Sequence, residues 1–176
     1  MLFHTARGGA EPEGAEMITR TMLTDQLDLY HARLEMALEG ITDEEARRVM
    51  AKPLAPVVWQ IGHLAVVDTI FVQRGGGSYT MQPSYNDLFK PGTGGEASYP
   101  PLGDVWAAFS AAHQALRALV DDADLARPLQ HPAGAYSDVG GMLLYACYHR
   151  GYHAGKIGTL RALLGKPLPV VPPARR

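Results

Sequence analysis

The sequence predicts an all-α protein: a four-helix bundle with a long connection between helices two and three. Three observations carry that prediction. Four long segments read as helices, either by apolar residues recurring at spacings of three and four or by apolar runs closed by helix stops. No segment shows the strict alternation of a half-buried strand. The links are short apart from one, as neighbouring helices in a bundle require.

Composition sets the frame. A chain of 176 residues fits one domain, and 47% hydrophobic against 19% charged residues is enough apolar material for a real core. Sixteen Lys and Arg against 18 Asp and Glu give a formal charge of −2, which argues against nucleic acid or an anionic membrane as partner. The single cysteine, Cys147, has no internal partner for a disulfide. The N-terminus lacks the apolar stretch of a signal peptide, and no run of 18 apolar residues occurs, so the expected location is the cytoplasm. Residues 1–17 read as a flexible tail, with Met17 and Met22 as alternative starts, 18–168 as the bundle and 169–176 as a second tail. Two counts stand out: seven His, and 19 Gly with 13 Pro.

The first helix is expected from about Thr19 to Glu39, with Leu23, Leu27, Tyr30, Leu34 and Ala37 on one face and Asp25, Arg33 and Glu35 on the other. Gly40 stops it, and Thr42 to Glu45 forms a capping box for a short helical turn. Pro56 opens the second helix, Val57 to Gln73, which is apolar nearly all round and therefore buried by several neighbours. From Gly75 to Pro101 no period is sustained; a connection of that length in a compact domain is often functional. The third helix is expected over Asp104 to Val120, with Val105, Phe109, Ala112, Leu116 and Leu119 inward. Ser137 reads as the N-cap of the fourth helix, which runs to about Leu164 and is stopped by Gly165. Its glycines, among them Gly140, Gly141, Gly151, Gly155 and Gly158, each disfavour an exposed helix by about 1 kcal/mol, so a central and closely packed element is expected.

Candidate chemistry sits on helices two and four. His149 and His153 are one turn apart and project from the same face, a spacing at which two imidazoles can bind one metal ion. The same spacing also suits two structural histidines bonded to their neighbours. His63 lies in the middle of the apolar second helix, where its ring nitrogens need partners, and it can reach the depth of the pair. Three imidazoles leave a divalent ion one position for water or substrate, which is the style of a catalytic site.

The strings Trp59-Gln-Ile-Gly-His63-Leu64 and His149-Arg-Gly-Tyr-His153-Ala-Gly-Lys-Ile-Gly-Thr-Leu-Arg-Ala-Leu-Leu-Gly-Lys-Pro167 resemble the DinB-like (YfiT-like) metal-binding four-helix-bundle family over about residues 19–168. The resemblance implies that His63, His149 and His153 hold a divalent metal, with Zn favoured and Ni, Fe or Mn as alternatives. Relatives in that family include bacillithiol- and mycothiol-dependent S-transferases and a mycothiol-dependent maleylpyruvate isomerase. Similar domains in ergothioneine-forming enzymes sit beside a second domain that this sequence lacks. The resemblance thus implies transfer of a low-molecular-weight thiol to a small electrophile, in a homodimer. The alternatives are a hydrolase using metal-activated water and a non-catalytic stress-response bundle; no protein residue is assigned as catalytic.

Other residues take structural readings first. Asp68 is expected to pair with an Arg or Tyr at a helix interface, with support of a ligand histidine as the alternative. Cys147 points away from the metal face and reads as core filler, and His31, His113 and His131 as surface or structural histidines. Arg150 is expected at the surface or a subunit contact, with anion binding as the alternative, and Lys156 lies on the other flank of the pair. Tyr79, Tyr85 and Tyr99 either line a pocket or pin the long connection to the bundle.

Overall fold

The computed structural model describes residues 13–95, 97–133 and 136–166. Among these are six helices, α1 (Glu13–Leu38), α2 (Asp43–Arg47), α3 (Val57–Arg74), α4 (Pro83–Phe89), α5 (Leu102–Asp122) and α6 (Val139–Leu163), and two strands, β1 (Pro128–Ala133) and β2 (Tyr136–Asp138). The four long ones, α1, α3, α5 and α6, are the predicted bundle. α1 begins at Glu13, six residues before the apolar period does, so 13–17 open a helix. The rest of the N-terminal tail, 1–12, and the C-terminal tail at 169–176 lie outside the described residues.

Apolar periodicity decides which faces turn inward. Leu23, Leu27, Leu34 and Ala37 of α1 are buried, while Asp25, Arg33 and Glu35 face solvent. α3 is enclosed on nearly every side, as its composition requires. The Thr42 capping box forms, with the Glu45 backbone N–H donating to Thr42 Oγ1 and the Thr42 N–H to Glu45 Oε2. Pro56 is the N-cap of α3 and Val57 its first residue. The Asp138 carboxylate caps α6 by accepting from Gly141 N–H at 2.7 Å, in place of the expected Ser137. Asp138 is one residue nearer the helix, where its oxygen meets the amide of Gly141, the third residue of the first turn.

Helix directions explain the long connection. The Leu23 carbonyl lies by Cys147 and the Ala37 carbonyl accepts from Arg161, so α1 and α6 run parallel. Arg20 reaches the carbonyls of Val120 and Ala123 at the far end of α5, which therefore opposes α1. Gln60 meets His153 while Phe71 meets Tyr145, so α3 opposes α6. α3 and α5 are thus parallel, and they are the most extensively packed pair. Parallel neighbours oblige the chain to return along the bundle, which is what residues 75–101 do.

That connection is not structureless. Pro83 opens α4, and Tyr85 and Phe89, one turn apart, are buried against the bundle. Tyr99 is buried as well, its hydroxyl donating to the carbonyls of Thr93 and Gly95. Tyr85 and Tyr99 therefore pin the connection, while Tyr79 is half-buried. A second departure lies between α5 and α6, where β1 and β2 pair antiparallel with Pro128 opposite Asp138. The hairpin is short, bulged and proline-bearing, so no period-2 pattern announces it. The glycines of α6 also divide. A side chain at Gly151 would meet the Tyr30 hydroxyl at 3.0 Å and its ring at 3.1 Å, as close packing predicts, but Gly155 faces open space.

Two apolar clusters fill the interior, one around Leu34, Leu64, Phe109 and Ile157, the other around Leu27, Phe71, Leu116 and Met142. Along each helix a polar residue falls between them: Asp28 on α1, Asp68 on α3, His113 on α5 and Arg150 on α6.

Candidate metal centre

His63 on α3 and His149 and His153 on α6 converge, with one ring nitrogen from each lying within 4.8 Å of the others. Ring centroids are 4.5 Å apart for His149 and His153, 5.0 Å for His63 and His153, and 5.2 Å for His63 and His149. The helix pitch sets the two α6 rings edge to face on one side of the helix, and the antiparallel crossing of α3 brings His63 to their level. His149 and His153 face each other through Nε2 atoms 3.1 Å apart. Two nitrogens about 2.05 Å from one tetrahedral ion would stand about 3.4 Å apart, so this edge already has the right size.

Neighbouring groups aim two of the rings. His63 Nδ1 is 2.8 Å from the Phe89 carbonyl, which can only accept, so Nδ1 carries the proton and Nε2 the lone pair. His153 Nδ1 is 2.5 Å from Gln60 Oε1, and the Gln60 amide nitrogen donates to the Ala55 carbonyl, which fixes that amide and leaves His153 Nε2 as the lone pair. His149 Nδ1 is buried without a partner. Trp59 stacks flat on His63 at 4.7 Å and is held by its indole N–H to Thr93 Oγ1.

Electrostatics keep the rings neutral. Burial, then the neighbouring rings His149 and His63, pull His153 down to about 2. Burial, then His63 and Arg150, pull His149 down to about 4, and burial lowers His63 against the opposing Phe89 hydrogen bond. Neutral imidazoles with inward lone pairs are competent ligands at pH 7. The donor set therefore fits a divalent ion of borderline softness.

The three rings form one wall of a pocket of about 440 Å³, completed by Trp59, Gly92, Tyr145 and Lys156, with Tyr148 and Tyr152 at its rim. Lys156 lies over the Tyr152 ring at 4.3 Å.

A sequence profile of the DinB superfamily matches residues 26–157. The chain belongs to the DinB superfamily. A solved structure of a conserved protein from Enterococcus faecalis is similar in fold, at 18% identity and a TM-score of 0.70, over 83% of this chain and 97% of that one. No curated protein matches the chain. Superfamily membership and the three-histidine cluster together fit a metal-binding DinB-like protein.

In this DinB bundle Arg150 departs most from expectation. It is fully buried, because three other helices supply its partners. Its guanidinium donates to Asp68 Oδ2 at 2.6 Å, to the Leu27 carbonyl at 3.1 Å and to His113 Nδ1 at 2.9 Å, and it lies over the Phe109 ring. A guanidinium has no acceptor, so His113 Nδ1 holds a lone pair and its Nε2–H faces Asp28 Oδ1 at 3.3 Å. Burial and the adjacent Arg150 charge pull His113 down to about 3. Burial pushes the Asp68 carboxyl up, and Arg150 draws it back. Asp68 thus takes its expected structural role.

Cys147 is buried beside the Leu23 carbonyl, and burial pushes its thiol up to about 11, so it is the inert filler expected. His31 is half-buried, bonded to Ser110 and stacked on His113. The His131 side chain lies outside the described residues. Sequence reasoning passed over Gln60 and the Phe89 carbonyl. Gln60 left a trace, an amide in the apolar first turn of the helix, three residues before His63; a backbone carbonyl leaves none.

Proposed function

We propose that this DinB-superfamily protein is a metal-dependent enzyme that transfers a low-molecular-weight thiol to a small electrophile, with His63, His149 and His153 as the metal ligands. The observation that carries the reading is the convergence of three neutral imidazoles on one pocket wall, two of them oriented by Gln60 and the Phe89 carbonyl. Zn suits such a ligand set best, ahead of Ni, Fe and Mn. A divalent ion held there would supply Lewis acidity that lowers the pKa of a thiol bound to it.

The chain's own residues do the rest. Gln60 and Phe89 hold two lone pairs inward. Trp59, Tyr145 and Tyr152 give the pocket aromatic walls that exclude water and can face an electrophile's apolar part. In the net reaction a sulfur–carbon bond forms, the carbon–leaving group bond breaks, and the thiol proton departs with the leaving group. No carboxylate is among the pocket-lining residues described. That supports a thiol nucleophile over water, which would call for a general base beside it.

Two measurements test the reading. Elemental analysis of protein purified without added metal is expected to give one divalent ion per chain, and His149→Ala to lose it; tight stoichiometric metal in that variant would refute the ligand assignment. Bacillithiol or mycothiol with a model electrophile such as monochlorobimane is expected to turn over above the uncatalysed rate. Ester hydrolysis of equal vigour without thiol would instead favour activated water.

A further inference from the structure

The histidine pocket does not end at Lys156. A second pocket of about 450 Å³ shares Trp59, Gly92 and Lys156 with it and continues past Ala55 to Lys52. The two form one groove, with the imidazoles at one end and the loop of Lys52 and Pro53 at the other. The Trp59 indole lies along the passage between them.

The charge in this groove has one sign. Lys156 and Lys52 are the charged residues lining it, apart from the neutral imidazoles, and among the described residues neither makes an ion pair. Lys156 is half-buried, with its ammonium over the face of the Tyr152 ring at 4.3 Å, which holds the charge at the junction of the pockets. Its charge is felt at all three imidazoles, where it helps disfavour protonation. Unpaired cations in a concave aromatic site favour an anionic ligand and disfavour a cationic one.

We propose that the groove takes an elongated thiol bearing a carboxylate, its sulfur end at the histidines and its carboxylate at Lys156, with Lys52 further along. The proposal rests on the metal-dependent thiol reading for the sulfur end; the anion selectivity of the groove stands on the lysines alone.

Two titrations separate these layers. In Co(II)-loaded protein, the sulfur-to-cobalt absorption band reports binding of 6-mercaptohexanoate and of its methyl ester. The acid is expected to bind about three- to fivefold more tightly, the range of one partly exposed ion pair. Lys156→Ala is expected to bring the ratio to about one, and Lys156→Arg to restore it. A wild-type ratio of one, or a ratio that survives Lys156→Ala, overturns the proposal. In metal-free protein, 4-phenylbutyrate is expected to shift the Gly92 amide resonance at lower concentration than 4-phenylbutyramide does. Cobalt uptake without discrimination refutes the groove and leaves the metal reading standing. Discrimination by the metal-free protein, with no cobalt uptake, refutes the metal reading and keeps the groove's anion selectivity.

Discussion

A single amide shows how much of the candidate centre depends on residues that never face its ligand. Gln60 is fully buried and bridges the Ala55 carbonyl to His153 Nδ1, so it sets which ring nitrogen faces inward. Gln60→Met keeps the volume and removes the acceptor. Metal affinity is expected to fall about 10- to 100-fold, measured by competition with a chelator, the range found when such outer partners are removed. An unchanged affinity would mean that His153 is aimed by packing alone. At this scale the sequence was partly legible. His149 and His153, in helical register, and His63, alone amid an apolar helix, could be singled out because imidazole is rare inside apolar helices. Arg150 was misplaced because its nearest sequence neighbours say nothing of Asp68, His113 or the Leu27 carbonyl, which arrive from three other helices.

Whole helices answer to Arg150. It ties α6 to α1, α3 and α5 in one layer, and its removal would strand the Asp68 carboxylate in a dry interior. Arg150→Met is therefore expected to cost about 3–5 kcal/mol of stability by denaturant unfolding, and the double change Asp68→Leu with Arg150→Met to recover most of it. A single variant as stable as the parent would show that the pair contributes nothing net. The elements themselves were legible wherever periodicity or a cap was strong, as in α1, α5 and the Thr42 box. α4 was missed because seven residues give too little period, although Pro83 followed by Tyr85 and Phe89 is a trace of it. The β1–β2 hairpin was missed because its pairing is irregular and β1 bears two prolines.

For the molecule as a whole, the buried imidazoles set an acid limit. His113, His149 and His153 stay neutral in the fold down to about 3, 4 and 2, whereas in the unfolded chain they titrate near 6.5. Between those values the unfolded chain binds more protons, so stability is full above pH 6.5 and is lost as pH falls. Glu45, pulled down to about 2 by its Lys166 and Thr42 hydrogen bonds, adds its loss as pH falls from its ordinary value of 4.5 toward 2. The melting temperature of metal-free protein is thus expected to drop between pH 7 and pH 5. A flat profile there would contradict the burial of uncharged rings.

The charged layer between the two apolar clusters also acts as an index mark. Hydrocarbon surfaces tolerate a slip of one helical turn, about 5.4 Å, with modest loss. A slip of α6 by that distance would carry Arg150 away from Asp68, Leu27 and His113 together, and no other buried carboxylate waits at the next turn among the described residues. His149 is the adjacent residue, so the mark that sets the helix also sets the ligand. Replacing the layer with hydrocarbon would trade that alignment for cohesion.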